Sequence, residues 1–480
     1  MKSKILISCF MILGLVSLLS ASSLALTGTG NSTADAQAIR AAVNAAGTEP
    51  IVVQLSGTFN LGDDGANGPR EIIRFKRPNV TIQGPATING GGSFDPFLSA
   101  GLNKRHQSVF VFDALGSAYP AYAAYGFSVA DNCKVRDLTF DGSKGIIICL
   151  IYGNGFECER VKITNAVPGI WAPTLPAPDV TEGIGFYIIG TGGKLIIKDC
   201  EYSTNLDPNV VTPAYFIGEQ GINVWKGHPT VASDIQIINN TINIDPRNRT
   251  RSTPNPESNS ELVWYTCSGI AVQGISKAAS HIQVEDNKIL AAQIGLQIQD
   301  NSCPAEISRN TMNIYPVASD SVVKLFPIGI IAVNNQTIPQ NIYVISNNEI
   351  SLNDATTGIY SWSLYNSIIA DNKITGSLTQ DPELSGAGVL FESGEKNTFL
   401  GNNLSTLNRD SLPTYYFDVS TVKNMIKKYS DKCDTICDKG INNRVPQCFS
   451  LAGRCELGER TRNMLSNPPK QPDPFTLPNN

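Results

Sequence analysis

A short pattern recurs along the second half of the chain: an Asn, one variable residue and an apolar residue, usually Ile. The six copies start at Asn240, Asn287, Asn310, Asn348, Asn372 and Asn402. Successive copies are 47, 23, 38, 24 and 30 residues apart. The shortest steps fit one turn of a solenoid, and the longer steps fit a turn with an inserted loop. Each unit of a solenoid buries its apolar face against its neighbours, so the pattern predicts a repeat protein that grows along one axis.

A second element of the repeat is a segment that starts with Gly and continues with alternating apolar and polar residues. Examples are Gly269-Ile270-Ala271-Val272 and Gly295-Leu296-Gln297-Ile298. Alternation with a period of two is typical of β-strands. Each coil is therefore predicted to run strand, Asn turn, strand, loop, Gly-led strand, loop.

Asn suits the turn between the first two strands for two physical reasons. It tolerates the left-handed backbone conformation, and its side-chain amide can bond to the amide of the next coil. We therefore expect the six Asn residues to stack in one inward-facing ladder. Leu138, Val161 and Cys200 occupy the equivalent position in earlier coils, so that end of the ladder should be apolar.

This arrangement resembles the right-handed parallel β-helix of the pectate-lyase-like superfamily, also called the pectin lyase fold. The resemblance covers about residues 31–410 and implies an all-β fold class. It leaves the function open, because the superfamily contains lyases, hydrolases, epimerases and non-catalytic surface proteins.

The N-terminus has the composition of a secretory signal. Lys2 and Lys4 precede an apolar run from Ile5 to Leu19, and Ser23-Leu24-Ala25 suits cleavage after Ala25. No other stretch is long and apolar enough to span a bilayer. Removal of residues 1–25 leaves 35 Lys and Arg against 42 Asp and Glu, which argues against a nucleic-acid partner. The sequence predicts a secreted or cell-envelope protein and leaves its oligomeric state open.

The chain after the signal is predicted to form two parts. Residues 26–410 form the β-helix, which begins with a capping helix over 34–46 because the open end of a solenoid core must be covered. Residues 411–480 form a C-terminal cap with a helix over 421–432, a group of cysteines and a Pro-rich tail.

The cysteines of this cap are Cys433, Cys437, Cys448 and Cys455. Their spacing and the lack of a nearby His fit a zinc site poorly. In an exported chain two disulfides are expected, with all three connectivities open.

Long connections precede the Gly-led strand in three consecutive coils, over residues 165–182, 203–220 and 245–268. Stacked coils would place these connections side by side as a wall along the Gly-led sheet. The sequence therefore predicts a one-sided cleft between about residues 182 and 300.

Amides and aromatic rings occupy the outward positions of the Gly-led strands. Rings stack on the apolar face of a sugar, and amides bond its hydroxyls. The predicted substrate-binding residues are Tyr187, Asn223, Trp225, Gln273, Gln297, Gln299 and Trp362. We expect Tyr187 to share one outward column with Trp225, Gln273 and Gln299.

Acids and bases border the same coils and give two possible chemistries. Glu182 and Glu219 lie on neighbouring coils, where two carboxyl groups could reach the separations of glycoside hydrolysis. Lys226, His228 and a basic run over 247–251 could instead supply the base and the cation of a lyase. The candidate catalytic residues are Glu182, Glu219, Lys226, His228 and Asp300.

Two departures from the resembled superfamily keep the reaction open. The paired acids typical of polygalacturonase-like relatives are not visible, and neither is the clustered Asp set that holds Ca²⁺ in pectate lyases. The cofactor is therefore unknown, with Ca²⁺ as a candidate that has no clear site. The leading hypothesis is an exported β-helix that binds, and could cleave by a lyase or hydrolase reaction, an extracellular polysaccharide. The alternative is a non-catalytic envelope or adhesion protein that uses the solenoid as a rigid surface.

Overall fold

The computed structural model shows a chain built almost entirely from parallel β-strands. An α-helix, Ser32–Ala45, lies near the N-terminus. The structure is described for residues 22–45, 49–61, 71–75, 77–89, 108–113, 131–142, 146–166, 171–172, 179–180, 183–204, 219–246, 267–316, 326–334, 342–410, 412–427, 436–445, 457 and 461.

Successive coils place their strands in three sheets, which we call I, II and III. Sheet I precedes the Asn turn and contains Glu157–Glu159, Gly193–Lys198, Ser233–Ile238, His281–Glu285, Ala305–Ser308, Tyr343–Ser346, Ile368–Ala370, Thr398–Leu400 and Met425–Lys427. Sheet II follows the turn and contains Lys162–Ala166, Glu201–Thr204, Thr241–Asn243, Lys288–Ala292, Thr311–Ile314, Glu349–Ala355, Lys373–Leu378 and Leu407–Asn408.

Sheet III holds the Gly-led strands. Its members are Glu71–Phe75, Ser108–Asp113, Ile146–Ile151, Gly183–Thr191, Glu219–Gly227, Cys267–Gln273, Ile294–Asn301, Ile328–Asn334, Thr357–Trp362, Val389–Glu395, Tyr415–Val422 and Ile436–Asp438. Ser22–Thr27 pairs with the first half of Ile51–Asn60 and so belongs to sheet I. In the next coils one long strand serves both sheets I and II: Ile51–Asn60, Val80–Asn89 and Lys134–Asp141. The short strand Leu364–Tyr365 pairs with the end of Val389–Glu395.

Among the described strands every pairing is parallel except that of Trp171–Ala172 with Asp179–Val180. Parallel strands that follow one another along the chain through a third sheet form a helical coil, so the molecule is a right-handed parallel β-helix, as the repeat predicted. The all-β class and the solenoid architecture are confirmed.

The interior of the solenoid is filled by stacked aliphatic side chains. In sheet I, Ile237 pairs with Val284, Val284 with Ile307, and Ile307 with Ile345, and all four are fully buried. Full burial of an aliphatic side chain of this size contributes about 1.5–3 kcal/mol. The repeat therefore derives its stability from contacts between neighbouring coils.

The Gly residues that open the strands of sheet III allow close packing against sheet II. A Cβ atom on Gly221 would lie 2.7 Å from Ile242 Cγ2 and 2.7 Å from the carbonyl oxygen of Gly269. A Cβ on Gly269 would meet Ile289 and the next Gly carbonyl at the same distances. Since these neighbours are core and backbone atoms, the Gly-led pattern reflects a steric requirement of each coil.

The Asn ladder is confirmed. Asn240 Nδ2 donates to Asn287 Oδ1 at 2.9 Å, and the same contact at 2.9 Å follows from Asn310 to Asn348. Each Oδ1 also accepts a backbone N–H, beginning with that of Cys200, which donates to Asn240 Oδ1 at 3.0 Å. All six amides are buried, so the ladder satisfies polar groups that would otherwise be orphaned in the core.

The backbone role expected for these Asn residues is wrong. The left-handed conformation belongs to the residue before each ladder Asn, as in Asn239 with φ 54°, Asp286 with φ 56° and Arg309 with φ 56°. That residue makes the turn and points its side chain to the surface. The ladder Asn itself then directs its amide into the core.

The first strand of the solenoid overlaps the predicted signal segment, whereas the capping helix follows it as expected. Ile39 and Val43 of the helix are buried in the same core as the first strands, as expected of a capping helix. Ser22–Thr27 forms a further strand that pairs in parallel with Ile51–Ser56. Cleavage after Ala25 would remove four of the six residues of that strand.

The solenoid also continues beyond residue 410, the predicted end of the repeat. Tyr415–Val422 and Met425–Lys427 are strands, so the helix expected over 421–432 is wrong for the residues described. Their coils are held by a second amide ladder, at the turn between sheets III and I. In it Asn397 Nδ2 donates to Asn424 Oδ1 at 2.9 Å.

The cysteine-rich region is described only in part. Cys437 is disulfide-bonded, whereas Cys433, Cys448 and Cys455 lie outside the described residues. Two disulfides within this group therefore stay a prediction. Leu457 packs on the outside of sheet III together with Leu384, so part of the C-terminal region lies beside the solenoid.

Candidate functional site

The side chains of sheet III alternate between the solenoid interior and an outer face. Ile270 and Leu296 belong to the interior core. Ile331 and Leu390 belong to a separate apolar cluster on the opposite side of the same sheet. The outer face is thus a second packed surface, and it is where the predicted binding residues lie.

Strand pairing arranges the outer side chains in two columns along the solenoid axis. Column A contains Trp225, Gln273, Gln299, Val333 and Trp362. Column B contains Tyr187, Asn223, Ala271, Gln297, Ile331 and Tyr360. Tyr187 pairs with Asn223, so the expectation that it shares a column with Trp225 is corrected. It lies in column B because Trp225 comes two residues after Asn223 on the next strand.

Carboxamide side chains are concentrated on three consecutive strands of this face. This carboxamide patch comprises Gln220, Asn223, Gln273, Gln297 and Gln299. The strand before it presents Tyr187 and Ile189, and the strand after it presents Ile331 and Val333. The patch is therefore a polar segment bounded by apolar side chains at both ends.

The patch is buried, which the sequence did not indicate. Gln273, Gln297 and Gln299 are 4%, 5% and 6% exposed. Gln297 Nε2 donates to Gln299 Oε1 at 2.8 Å, and Asn223 Nδ2 donates to Gln220 Oε1. Among the described residues, Asn223 Oδ1 is buried without a hydrogen-bond partner. A buried acceptor left unpaired costs about 1–3 kcal/mol, so this atom is a position where a donor from a ligand would be favoured.

One end of the patch is accessible. Trp225 is half-buried, and Lys226 and Asp300 are exposed. Lys226 Nζ lies 3.9 Å from the centroid of the Trp225 ring. Lys226 and Asp300 both have left-handed backbones, with φ of 62° and 54°. The same conformation recurs at regular turns of the solenoid, for example at Asn239 and Asp286, so it reflects the turn between strands.

The carboxyl groups of the predicted pair, Glu182 and Glu219, lie outside what the structure describes. Glu182 is outside the described residues, and so is the basic run over 247–251. The backbone of Glu219 starts a strand of sheet III and pairs with Gly183 and Cys267, and its side chain lies outside the description. Apart from its ends, the predicted wall of long connections is described at the strand pair of Trp171–Ala172 with Asp179–Val180.

His228 has a structural contact. Its Nδ1 accepts hydrogen bonds from the backbone N–H groups of Thr230 at 3.2 Å and Val231 at 3.1 Å. The ring is buried, and burial lowers the pKa of the imidazole, an effect that the charge of Asp131 opposes. The neutral ring therefore holds the turn between sheets III and I, and its Nδ1 is not available as a base.

A group of ionisable side chains lies further along the outer face. This Glu392 cluster comprises Tyr360, Glu392, Tyr416, Asp418 and Lys439. Tyr360 Oη donates to Glu392 Oε2 at 2.6 Å, and Tyr416 Oη lies 3.5 Å from Asp418 Oδ1. Lys439 Nζ lies 5.2 Å from the centroid of the Tyr416 ring.

Glu392 is the most perturbed carboxyl group on this face. It is 6% exposed. Burial raises its pKa to about 8, the negative charge of Asp418 adds to this rise, and the Tyr360 hydrogen bond opposes it. A carboxylic acid that keeps its proton at neutral pH can act as a proton donor.

Sequence reasoning missed most of this cluster. No role is assigned to Glu392 from the sequence, and Tyr416, Asp418 and Lys439 lie in the region predicted to form the cap. The contact from Asn397 to Asn424 shows that coils continue past residue 410, but the steps of 27 and 19 residues to Asn424 and Asn443 give no readable period in the sequence.

Two further observations concern metals and membranes. Across the described segments, no three His, Cys, Asp or Glu side chains are arranged to hold a metal ion. In the same segments no helix has both the length and the apolar character needed to cross a membrane.

The comparison with protein families agrees with the observed architecture. The family model for the right handed beta helix region matches residues 125–318, about two fifths of the chain. Together with the strand topology, this match identifies the fold as a right-handed parallel β-helix. No curated protein sequence matches the chain significantly.

Several solved structures are similar to this chain at low sequence identity. The family 28 exopolygalacturonase of Yersinia enterocolitica is 10% identical with a TM-score of 0.42, covering 82% of this chain and 75% of the enzyme. The Streptococcus pneumoniae surface protein and adhesin PfbA is 13% identical with a TM-score of 0.35, covering 84% and 100%. The tailspike protein of E. coli bacteriophage HK620, in complex with a pentasaccharide, is 13% identical with a TM-score of 0.37, covering 85% and 67%.

Proposed function

We propose that this protein is exported and binds an extracellular polysaccharide along columns A and B of sheet III. The observation that supports this most is the carboxamide patch, which lies between strands that present apolar side chains on the outer face. Each carboxamide offers a donor and an acceptor, the combination that sugar hydroxyls require. Asn223 Oδ1, which has no partner among the described residues, would accept a hydrogen bond from a hydroxyl that reached it.

The geometry favours an extended ligand that lies along the solenoid axis. Gln273 and Gln299 follow Trp225 on successive strands, and strands of a sheet are about 4.8 Å apart. A sugar chain along column A would meet an aromatic ring first and then a regular series of amides. Trp225 would stack on the apolar face of a sugar ring, and Lys226 and Asp300 would border the entrance.

Export is part of this proposal and rests on residues 1–25. The strand Ser22–Thr27 belongs to the first coil, so the cleavage site has a structural consequence. Cleavage after Ala25 would leave Ile51–Asn60 as the first complete strand.

A non-catalytic envelope or adhesion role is the second candidate. The burial of Gln273, Gln297 and Gln299 favours it, because most of the patch is not open to solvent. In that case the carboxamide side chains would only contribute to internal packing, and the solenoid would serve as a rigid spacer.

The glycan-binding and spacer functions are distinguished by measuring the binding of the full-length protein to a panel of uronic-acid-containing and neutral polysaccharides. We expect at least one glycan to bind, and Gln299→Ala to weaken it about threefold to tenfold, the effect of losing one hydrogen bond. The matched control is Gln236→Ala, which removes an amide from the outer side of sheet I. No binding to any glycan, or equal effects of the two variants, would favour the spacer.

A further inference from the structure

The first strand of the solenoid, Ser22–Thr27, is paired along its whole length. All six of its residues pair in parallel with Ile51–Ser56 in a single register. The backbone N–H of Ser22 also donates to the carbonyl of Pro50 at 3.2 Å, so the pairing reaches the first residue of the strand. This strand therefore continues the regular ladder of sheet I over the residues that follow Ala21.

The chain directly after this strand is anchored to the same coil. Leu26 is partly buried and packs against the solenoid core. A Cβ atom on Gly28 would lie 2.0 Å from the carbonyl oxygen of Thr58, so the two backbones are in close contact there. Asp35 Oδ1, at the start of the capping helix, accepts hydrogen bonds from the backbone N–H and the hydroxyl of Thr29 at 2.8 and 2.7 Å. The strand and the capping helix thus form one continuous, anchored segment.

Ser22–Thr27 is also the edge strand at the N-terminal end of sheet I. Five of its six residues are exposed, and four of the six are Ser, Ala or Thr. The next strand carries Ile51 and Val53, which are 5% and 0% exposed. Open edges of a sheet can pair with other chains, and a short edge strand is one way in which proteins limit this. Loss of the first strand would move the open edge to a strand that holds core side chains.

We infer that the export signal is cleaved at the bond between Ala21 and Ser22, so that the mature chain keeps the complete first strand. This inference rests on the proposed function, because it requires export. Hydrolysis by a signal peptidase consumes one water molecule, leaves a carboxylate on Ala21 and creates the new amino group on Ser22.

The two candidate bonds differ in sequence and in structural consequence. Both follow an Ala, the small residue that a signal peptidase requires directly before the bond. The sequence alone favours the bond after Ala25, because Ser23 is smaller than Leu19 at the third position before the bond. The pairing of Ser22–Thr27 is the reason to place the cleavage earlier, since the later bond would remove four of its six residues.

The N-terminus of the exported protein tests this inference. The full-length chain is produced in a secreting host, and the exported product is analysed by intact mass and N-terminal sequencing. We expect the mature chain to begin at Ser22. The matched variants are Ala21→Gln and Ala25→Gln, each of which places a large side chain directly before one of the two bonds. Ala21→Gln should abolish the product that begins at Ser22, whereas Ala25→Gln, at an exposed position of the strand, should leave it unchanged.

Amide hydrogen exchange tests the structural reason for the inference. Two chains are compared, one that begins at Ser22 and one that begins at Leu26. In the shorter chain, amides of Ile51–Ser56 that bond to the first strand should exchange about threefold to tenfold faster, the effect of losing one hydrogen bond. Amides of Val80–Asn89, one coil further along the solenoid, serve as the control and should exchange equally in both chains.

Two results would overturn the inference and leave export intact. One is an exported product that begins at Leu26 or at any other residue than Ser22. The other is equal hydrogen exchange of Ile51–Ser56 in the two chains. A full-length chain that is retained inside the cell overturns the export part of the proposed function as well.

Discussion

Asn287 Nδ2 donates to Asn310 Oδ1 at 2.9 Å, and the backbone N–H of Asn287 donates to the same oxygen at 3.0 Å. One carboxamide thus satisfies two donors of the neighbouring coil while both residues are fully buried. The contact fixes the register between coils, because a shift by one residue would leave both donors unpaired.

Replacing a middle member of the ladder tests this contact. Asn310→Leu should lower the free energy of unfolding by roughly 1–3 kcal/mol, because buried amides on both sides lose a partner. Denaturant unfolding measures the change. Asn313→Leu is the control, since Asn313 makes a surface hydrogen bond to the carbonyl of Leu290. Equal stabilities of the two variants would contradict a structural role for the ladder.

The lowered pKa of His228 should make the free energy of unfolding depend on pH. The pKa of the folded imidazole lies below its ordinary value, so between the two values the unfolded chain binds more protons. The contribution of His228 is therefore present above the ordinary pKa and is lost as the pH falls through the folded value. Protonation would also remove the acceptor that Nδ1 offers to Thr230 and Val231.

The measurement is the melting temperature of the wild type and of His228→Asn between pH 7 and pH 5. Asn keeps an acceptor close to the position of Nδ1 and cannot be protonated. The wild type should lose more stability on acidification than His228→Asn, whereas His281→Asn, at a surface position, should follow the wild type. Parallel curves for the wild type and His228→Asn would refute this role.

The sequence was sufficient for the fold because its repeat encodes contacts that every coil must make. The ladder Asn residues and the Gly residues at close backbone approaches, such as Gly221 and Gly269, leave a periodic signal. The second ladder, from Asn397 to Asn424 and Asn443, has few members and uneven spacing, so it gave no readable period. The end of the solenoid was therefore placed too early.

The site was harder to predict for a different reason. Outward positions follow from alternation, which correctly placed Asn223, Trp225 and Gln299 on one face. Their burial and the raised pKa of Glu392 depend on which side chains pack over that face. The alternation of residues along a single strand does not reveal those neighbours. The correct column for Tyr187 required the register between strands.

The C-terminal cysteines give a prediction for mass spectrometry. Cys437 is disulfide-bonded, and we expect the group of Cys433, Cys437, Cys448 and Cys455 to form two disulfides. Without reduction, peptides covering this region should be lighter by four hydrogens than after reduction. Four free thiols or stoichiometric zinc would refute the prediction.

The most direct test of glycan binding on the outer face of sheet III is calorimetric titration of the wild type and Trp225→Ala with the glycan that binds best. Because the Trp225 ring is half-buried at the accessible end of column A, we predict a loss of about 1–3 kcal/mol in binding free energy in a variant that is still folded at the temperature of the titration. Leu290→Ala, at an exposed position of sheet II, should bind like the wild type. An unchanged affinity in Trp225→Ala would contradict the account and place the ligand on another surface.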